Sequence, residues 1–253
     1  MNAASTRWAG RRHLASWHGV DVPSYTAMLY LGTVAGVFAG AAVGASAGLD
    51  PSRVAWVTVV LLVPALLGSR LWFVLEHSSV YRAEPRRIWR RSEGGSALHG
   101  GLVLSLAVSV PLLAAVHIPF WTYWDAASFT MLVGLVFTRI GCVMNGCCAG
   151  RATCGSLAMR LPDDRGVWER RIPTQLLEAG WAVLVLVGAA IALATRSSPG
   201  WIFLGVLAAY AAGRLLLEPT RQTAGTGGSR ANMLLSAALM LGAGLALAFG
   251  LPG

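Results

Sequence analysis

Trp121–Thr138 reads WTYWDAASFTMLVGLVFT and runs straight into Arg139–Arg151, RIGCVMNGCCAGR. The first part is apolar over nearly the length that a membrane-spanning helix needs, about 20 residues. The second carries an arginine, an amide and several glycines. Polar groups in hydrocarbon cost several kcal/mol unless they are paired or face a cavity, so a cluster of them at the end of a span marks a functional site. A second cluster, His99-Gly100-Gly101, opens the apolar run that begins at Leu98.

Six further stretches have the same span-like character: Thr26–Gly48, Val54–Leu75, Leu98–Val116, Pro173–Thr195, Trp201–Leu217 and Ala231–Leu251. The chain therefore reads as an all-α membrane protein, one bundle of about seven transmembrane helices over residues 1–253, with 139–172 as a small polar head. Composition agrees. Hydrophobic residues make up 55% and charged ones 12%, against about 25% charged in a soluble domain. Arg7, Arg11 and Arg12 precede the first stretch as in a signal peptide, but that stretch exceeds the usual apolar core of about 7–15 residues. An uncleaved first span is expected.

The net charge is +9, and all 20 basic residues are arginine. Codon usage accounts for the set as a whole. For the few arginines inside spans a phosphate partner is the sharper reading, because the planar guanidinium binds oxyanions bidentately and keeps its charge. The arginines are scattered between apolar spans and form no soluble basic domain, which argues against nucleic acid. With seven spans, the arginine-rich N-terminus, Glu76–Ala97, Arg139–Ile172 and Glu218–Arg230 share one face, which simple charge counting makes cytoplasmic.

His99 sits between Gly94-Gly95-Ser96-Ala97-Leu98 and Gly100-Gly101, where backbone can approach a ligand closely; alone it reads equally as a hydrogen-bonded interface residue. Arg139 ends the fourth span, and Gly141, Asn145, Gly146 and Gly150 after it describe an irregular turn with open amides, an arrangement that binds anions. Tyr210, Arg214 and Glu218 repeat every four residues and so share a helix face. They form either an oriented cation for substrate or a structural ion pair. Cys142, Cys147, Cys148 and Cys154 are spaced C-x4-C-C-x5-C, without the paired C-x2-C knuckles of a zinc or iron–sulfur site. No metal or other cofactor is expected. In an oxidising compartment Cys147 or Cys148 would bond to Cys154; in the cytoplasm all four would be small buried thiols.

Several segments carry a resemblance in order along the chain: Ser24–Leu29 (SYTAML), Ser69–Leu75 (SRLWFVL), Gly94–Leu102 (GGSALHGGL), Pro173–Glu178 (PTQLLE) and Tyr210–Arg221 (YAAGRLLLEPTR). Together they resemble the prolipoprotein diacylglyceryl transferases of bacterial membranes, with their His-Gly-Gly, Pro-Ser-Gln-Leu-Tyr-Glu and Tyr-x3-Arg-x3-Glu-x2-Arg segments. The family's central signature, Arg-x-Gly-Asn-x-x-Asn-Gly-Glu-x-x-Gly, is met at Arg139, Gly141, Asn145, Gly146 and Gly150. Cys142 stands at its first Asn and Cys147 at its Glu, and Ile172 replaces a His.

The resemblance implies a multi-pass protein of the bacterial inner membrane that moves a diacylglyceryl group from phosphatidylglycerol to the cysteine thiol of a lipobox-containing prolipoprotein, releasing glycerol phosphate. A thiol of pKa near 8.5 needs a base, for which His99 is the candidate. Arg139 and Arg214 would hold the departing phosphate, with Glu218 fixing Arg214. Tyr25, Tyr210, Asn145, Arg221 and the glycines Gly100, Gly101, Gly146 and Gly150 would contact the headgroup. It also implies that Arg139–Ile172 lies on the outer face, against the arginine count. The substitutions at Cys142, Cys147 and Ile172 keep two alternatives open: a paralogous transferase with the same donor and another acceptor, and a non-catalytic lipid-binding protein.

Overall fold

A computed structural model describes residues 8–17, 20–76, 78, 81, 86, 98–195, 198–223 and 227–250. Among them seven long helices follow the apolar runs: α1 (Ser24–Ser46), α2 (Pro51–Glu76), α3 (Leu98–Ala115), α4 (Phe120–Asn145), α5 (Thr174–Ala194), α6 (Trp201–Leu217) and α7 (Gly227–Ala248). Six are long and apolar enough to cross a membrane, and α3 is a shorter apolar helix. Tyr30, Phe38, Leu66, Leu184 and Leu234 point outward and are well exposed. A soluble protein would not leave so much apolar surface uncovered. Hydrocarbon covers it at no cost.

Lipid gives apolar faces no reason to associate, so membrane helices hold together by close packing at small residues. Gly32, Gly36 and Gly40 on α1 form such a stripe. A Cβ at Gly36 would stand 2.6 Å from the Thr130 carbonyl oxygen, and one at Gly32 would stand 2.6 Å from Phe137 Cβ. At the other end of α4, Gly141 faces Met28 and Tyr25. The two helices therefore run antiparallel in contact along their whole length. Gly68 and Gly100 meet backbone to backbone and seat α2 on α3, while Gly213 receives the indole of Trp181 and seats α6 on α5.

The core lies mainly at the end of the bundle formed by the short links after α1, α3 and α5. There Val54, Val57, Leu113, Tyr123, Trp124, Phe203 and Leu204 are buried together, and the Trp124 indole donates to Ser109 Oγ at 3.0 Å. Asp125 is a buried carboxylate in this region. It accepts from the backbone N–H of Gly200 at 2.7 Å and of Phe203 at 2.8 Å, capping the start of α6 from across the bundle. The free amides and the dipole at a helix N-terminus favour an anion there.

Three features differ from the sequence expectation. The fourth helix does not stop at Thr138; it continues through Arg139 to Asn145 and closes on Gly146, whose φ of +80° suits glycine. Arg139 has a carboxylate partner inside the bundle, so no polar boundary forces the helix to end. The head is accordingly smaller than 139–172. It contains an antiparallel hairpin, β3 (Met159–Pro162) with β4 (Trp168–Arg171), whose loop is tied by Asp163 accepting from Arg165 and Val167 N–H at 2.9 Å each. Those amides and the buried Arg171 guanidinium, 3.1 Å away, hold the Asp163 carboxyl below its usual range. A second hairpin, β1 (His13–Trp17) with β2 (Val20–Pro23), precedes α1. Arg12 Nη2 donates to the Asp164 carbonyl at 2.6 Å, joining the N-terminal segment to the head. The Glu76–Ala97 connection, with the Gly94–Ala97 approach to His99, lies almost wholly outside the described residues.

Asp125→Ala strands two backbone donors at the start of α6. We expect a loss of about 1–3 kcal/mol for a buried donor left unsatisfied, read as a lower midpoint of thermal or denaturant unfolding in detergent. An unchanged midpoint would show that water replaces the carboxylate.

Candidate active site

α4, α5 and α6 each deliver one charged side chain to the same point near the head. Glu178 lies a little over one turn into α5 and is buried. Its Oε2 is 2.9 Å from Arg139 Nε, and its Oε1 is 3.2 Å from Arg214 Nη1. Arg221, just beyond the 3₁₀ turn Glu218–Thr220 that ends α6, also hydrogen-bonds Glu178 Oε1. Glu218 completes the cage. It accepts from Arg214 Nη2 at 2.8 Å and from Ser229 Oγ of α7 at 2.9 Å, with Arg221 Nε 3.6 Å away.

Three guanidinium groups against two carboxylates leave one positive charge over. An ion of that kind is retained away from water only when its partners are close and the remaining donors find acceptors. Some donors here have none. The Nε atoms of Arg139, Arg214 and Arg221 are buried without a hydrogen bond, and the Arg139–Glu178 contact is an ion pair that lacks hydrogen-bond geometry. Beside the cage opens a small cleft lined by Leu135, Arg139, Glu178, Trp181, Tyr210, Gly213, Arg214 and Leu217. Most of that wall is apolar, and Arg139, Arg214 and the Tyr210 hydroxyl are its groups that can bind an anion. Such a wall suits an amphiphile whose charged end meets arginine.

The structure brings most of the expected residues to this end of the bundle. Tyr210 lies in the cleft wall, and Tyr25, half-buried in the first turn of α1, is within electrostatic reach of Arg139, Cys142, Cys147 and Cys148. His99 is buried on the other side, 3.5 Å from Ser236 Oγ and hydrogen-bonded to Asn232 of α7, with Arg214 and Glu218 near enough to act on its charge. The glycines have a different part from the one expected. Gly100 and Gly101 pack on Gly68, Trp72 and Ala65 of α2; Gly150 packs on Ile172 and Thr174; Gly146 packs on the Asp163 carbonyl. Their missing side chains admit neighbouring backbone of this chain, so they shape the site without lining it. Gly150 and Arg221 form an isolated β-bridge that ties the head to the end of α6.

The cysteines also depart from expectation. All four are free, so the disulfide to Cys154 is not formed. Cys154 is carried toward β4, where the Thr153 N–H donates to the Arg170 carbonyl at 2.9 Å. The other three converge: the turn at Gly146 folds Cys147 and Cys148 back over Cys142 on the last turn of α4, and the three sulfurs lie within 4.8 Å of one another. Sequence spacing missed this, because it measures separation along the chain and the turn reverses direction. Hydrogen bonds from the Cys142 and Cys147 thiols, with Arg139 and Arg221 nearby, hold the Cys148 thiol far below its ordinary range, while against the hydrogen bond from Cys142 the neighbouring Cys148 and burial raise Cys147.

Glu178 is the residue that motif reading undervalued. It was visible as the last residue of the Pro173–Glu178 segment, and a carboxylate inside an apolar span is costly enough to demand a cation partner. Gln175, Asn232 and Ser229 were not singled out either. The Gln175 amide donates to the Cys147 carbonyl at 2.9 Å and holds the turn against α5.

A bundle of apolar helices that keeps a charged guanidinium–carboxylate cage beside a small cleft is an integral membrane protein with a polar site at one end. Residues 12–249 match the sequence profile described as prolipoprotein diacylglyceryl transferase. The phosphatidylglycerol–prolipoprotein diacylglyceryl transferase of Lactiplantibacillus plantarum is 31% identical over 219 residues, which cover 81% of this chain and 73% of that protein. Its namesake in Trichormus variabilis is 27% identical over 186 residues, 68% of this chain and 65% of that one. In the Rhodopirellula baltica protein the match is 31% over 153 residues, 57% of this chain and 30% of that one. The chain belongs to the prolipoprotein diacylglyceryl transferase family, and it is therefore a membrane transferase.

Removing Glu178 tests the cage. Glu178→Ala leaves three cations facing one carboxylate, and breaking a buried pair by deleting one partner typically costs about 3–5 kcal/mol. The unfolding midpoint in detergent should fall clearly, and Glu178→Gln, which keeps shape and loses charge, should fall less. Wild-type stability in both would mean that the arginines are solvated and that Glu178 is no hub.

Proposed function

We propose that the chain transfers a diacylglyceryl group from phosphatidylglycerol to the cysteine thiol of a lipobox-containing prolipoprotein, in a bacterial inner membrane. The observation that carries this reading is the cage on Glu178 and Glu218, with an excess positive charge and unsatisfied guanidinium donors beside an apolar wall. It has the charge and donors for a phosphate diester and the surface for its lipid.

The acceptor sulfur attacks the glycerol carbon that carries the phosphate, the carbon–oxygen bond breaks, and glycerol phosphate leaves with the electron pair. Charge grows on the departing phosphate, so donors already in place lower the barrier; one such donor is worth on the order of 10²–10³ in rate. Arg139 and Arg214 take that part, and Glu178 and Glu218 keep them aimed. Tyr25 and Tyr210 hydrogen-bond the headgroup, and Leu135, Trp181 and Leu217 line the path of the chains. His99 is the base for the acceptor thiol. Its hydrogen bonds to Asn232 and Ser236 fix the ring.

A second reading, the same donor with another acceptor, is favoured by one observation. Cys142 and Cys147 replace an amide and a carboxylate at the centre of the family signature, beside Tyr25 and Arg139. The deciding assay incubates purified protein with labelled phosphatidylglycerol and a lipobox peptide. A thioether-linked lipidated peptide supports the first reading, while loss of label from the donor without modified peptide supports the second.

In that assay His99→Ala should lower turnover by roughly 10²-fold or more, the low end of general-base contributions, in a protein that still folds. Turnover like that of the wild type would take His99 out of the chemistry. The head, from Gly146 to Ile172, belongs on the outer face, where prolipoproteins emerge. A cysteine introduced by Asp164→Cys in a background without native thiols should react with a membrane-impermeant reagent in intact cells; reaction only after permeabilisation would reverse the orientation.

A further inference from the structure

We infer that Cys142, Cys147 and Cys148 bind one thiophilic divalent cation of the zinc class, leaving its fourth position open to the thiol that accepts the lipid. The binding site stands on the geometry alone; the role of the fourth position rests on the transfer reading above.

Three sulfurs within 4.8 Å of one another are close to what a single ion requires. At a zinc–sulfur distance of about 2.3 Å, tetrahedral coordination sets the sulfurs roughly 3.8 Å apart. Cys142 is fixed on the last turn of α4, whereas Cys147 and Cys148 stand on the turn after Gly146, outside regular helix. Modest side-chain rotation on that turn closes the gap. None of the three is committed to a disulfide.

The surroundings favour the charged, metal-bound form. Three thiolates around a divalent ion carry one net negative charge, and Arg139 and Arg221 lie near enough to Cys148 to offset it. Asn145 hydrogen-bonds the Cys147 side chain and the Gln175 amide holds the Cys147 carbonyl, the kind of outer support that orients ligands. The described residues supply no fourth ligand to this group. Three protein ligands and one open position is the arrangement of a catalytic zinc site, whereas structural sites are closed by four.

An open position beside Arg139 has a use in this reaction. A thiol that coordinates the ion gives up its proton to solvent. Its sulfur then forms the bond to the glycerol carbon while the carbon–oxygen bond to phosphate breaks and glycerol phosphate departs with the electron pair. No atom changes oxidation state. On this path the ion takes over the deprotonation assigned above to His99, which lies across the cage beside α7, so turnover that survives His99→Ala with zinc bound and is lost on chelation would support the open-position role.

The test uses the full chain purified in detergent without chelator. Zinc content by elemental analysis, and the ultraviolet thiolate-to-metal charge-transfer band on titration with Cd(II), should both give one ion per chain in the wild type and in Cys154→Ser. The triple variant Cys142→Ser, Cys147→Ser, Cys148→Ser should show no Cd(II) band and lose binding by more than the roughly 100-fold that an outer-shell partner can cost; circular dichroism checks that it folds, and the Cd(II) titration of the wild type decides the matter even if it does not. Chelation should slow transfer to the lipobox peptide by about 30-fold at pH 7, the advantage of full thiolate over a thiol of pKa near 8.5. The lost rate should return as pH rises and on adding Zn(II). Absence of the Cd(II) band in protein with free thiols, or isolation of the three cysteines as a disulfide, overturns the site. Binding with transfer indifferent to chelation overturns the open-position role and leaves the site. Binding without transfer under any condition overturns the proposed function instead.

Discussion

A charge inside hydrocarbon must be paid for by a partner, and that constraint organises one whole end of this molecule. Glu178 sits in an apolar helix, where an unpaired charge is costly. It collects Arg139 from α4, Arg214 from α6 and Arg221 from the segment beyond α6. Once those are in place, Glu218 follows, because two of the arginines also need its charge, and Ser229 brings α7 to the group. Four helices are thus registered by one network. The cage cannot neutralise itself, and its surplus charge and idle donors are what a phosphate would satisfy.

Close packing supplies what electrostatics cannot. The network fixes only the site end of α4, α5 and α6, while the glycines of α1 set the distance to α4 along the full span. Gly141 continues that contact to the last turns of α4, where it lets Tyr25 approach Arg139 and the thiols. At the far end Asp125 caps α6 and keeps it from sliding relative to α4. A shift of α4 by one turn, about 5.4 Å, would separate Arg139 from Glu178, and a like shift of α6 would separate Arg214 from it. The site therefore depends on contacts tens of residues away in sequence.

The helices, their number and the end of the bundle where the out-of-place polar residues gather were legible in the sequence because the penalty for polar groups in lipid is large and local. Each helix announced itself by apolar length, and His99, Arg139, Arg214 and Glu218 by being out of place. What sequence could not show was partnership. Tyr210, Arg214 and Glu218 share one helix and their spacing was enough; Glu178 meets its arginines only through tertiary packing, so its motif gave no hint of which charges it serves. Gly100, Gly101, Gly146 and Gly150 looked like openings for a ligand because absence of a side chain does not say what fills the space. The hairpins β1–β2 and β3–β4 were missed for another reason. They are short and polar, and the apolar periodicity that reveals spans is silent about them.

The thiols show how the same position can serve different chemistry. An amide and a carboxylate at Cys142 and Cys147 would offer hard oxygen and nitrogen atoms to a polar headgroup. Thiols there offer weak hydrogen bonds and strong affinity for soft cations. Such an exchange weakens any direct contact with glycerol or phosphate, yet the cage behind it is complete, with Arg139 still on Glu178 and Arg214 still on both carboxylates. In the proposed transfer, donor recognition rests on the cage. The loop that carries the cysteines stands between the cage and the head, on the side of Tyr25 and away from His99. On that proposal, changes confined to the loop would alter what meets the reacting carbon from the head side and would leave the phosphate on the cage.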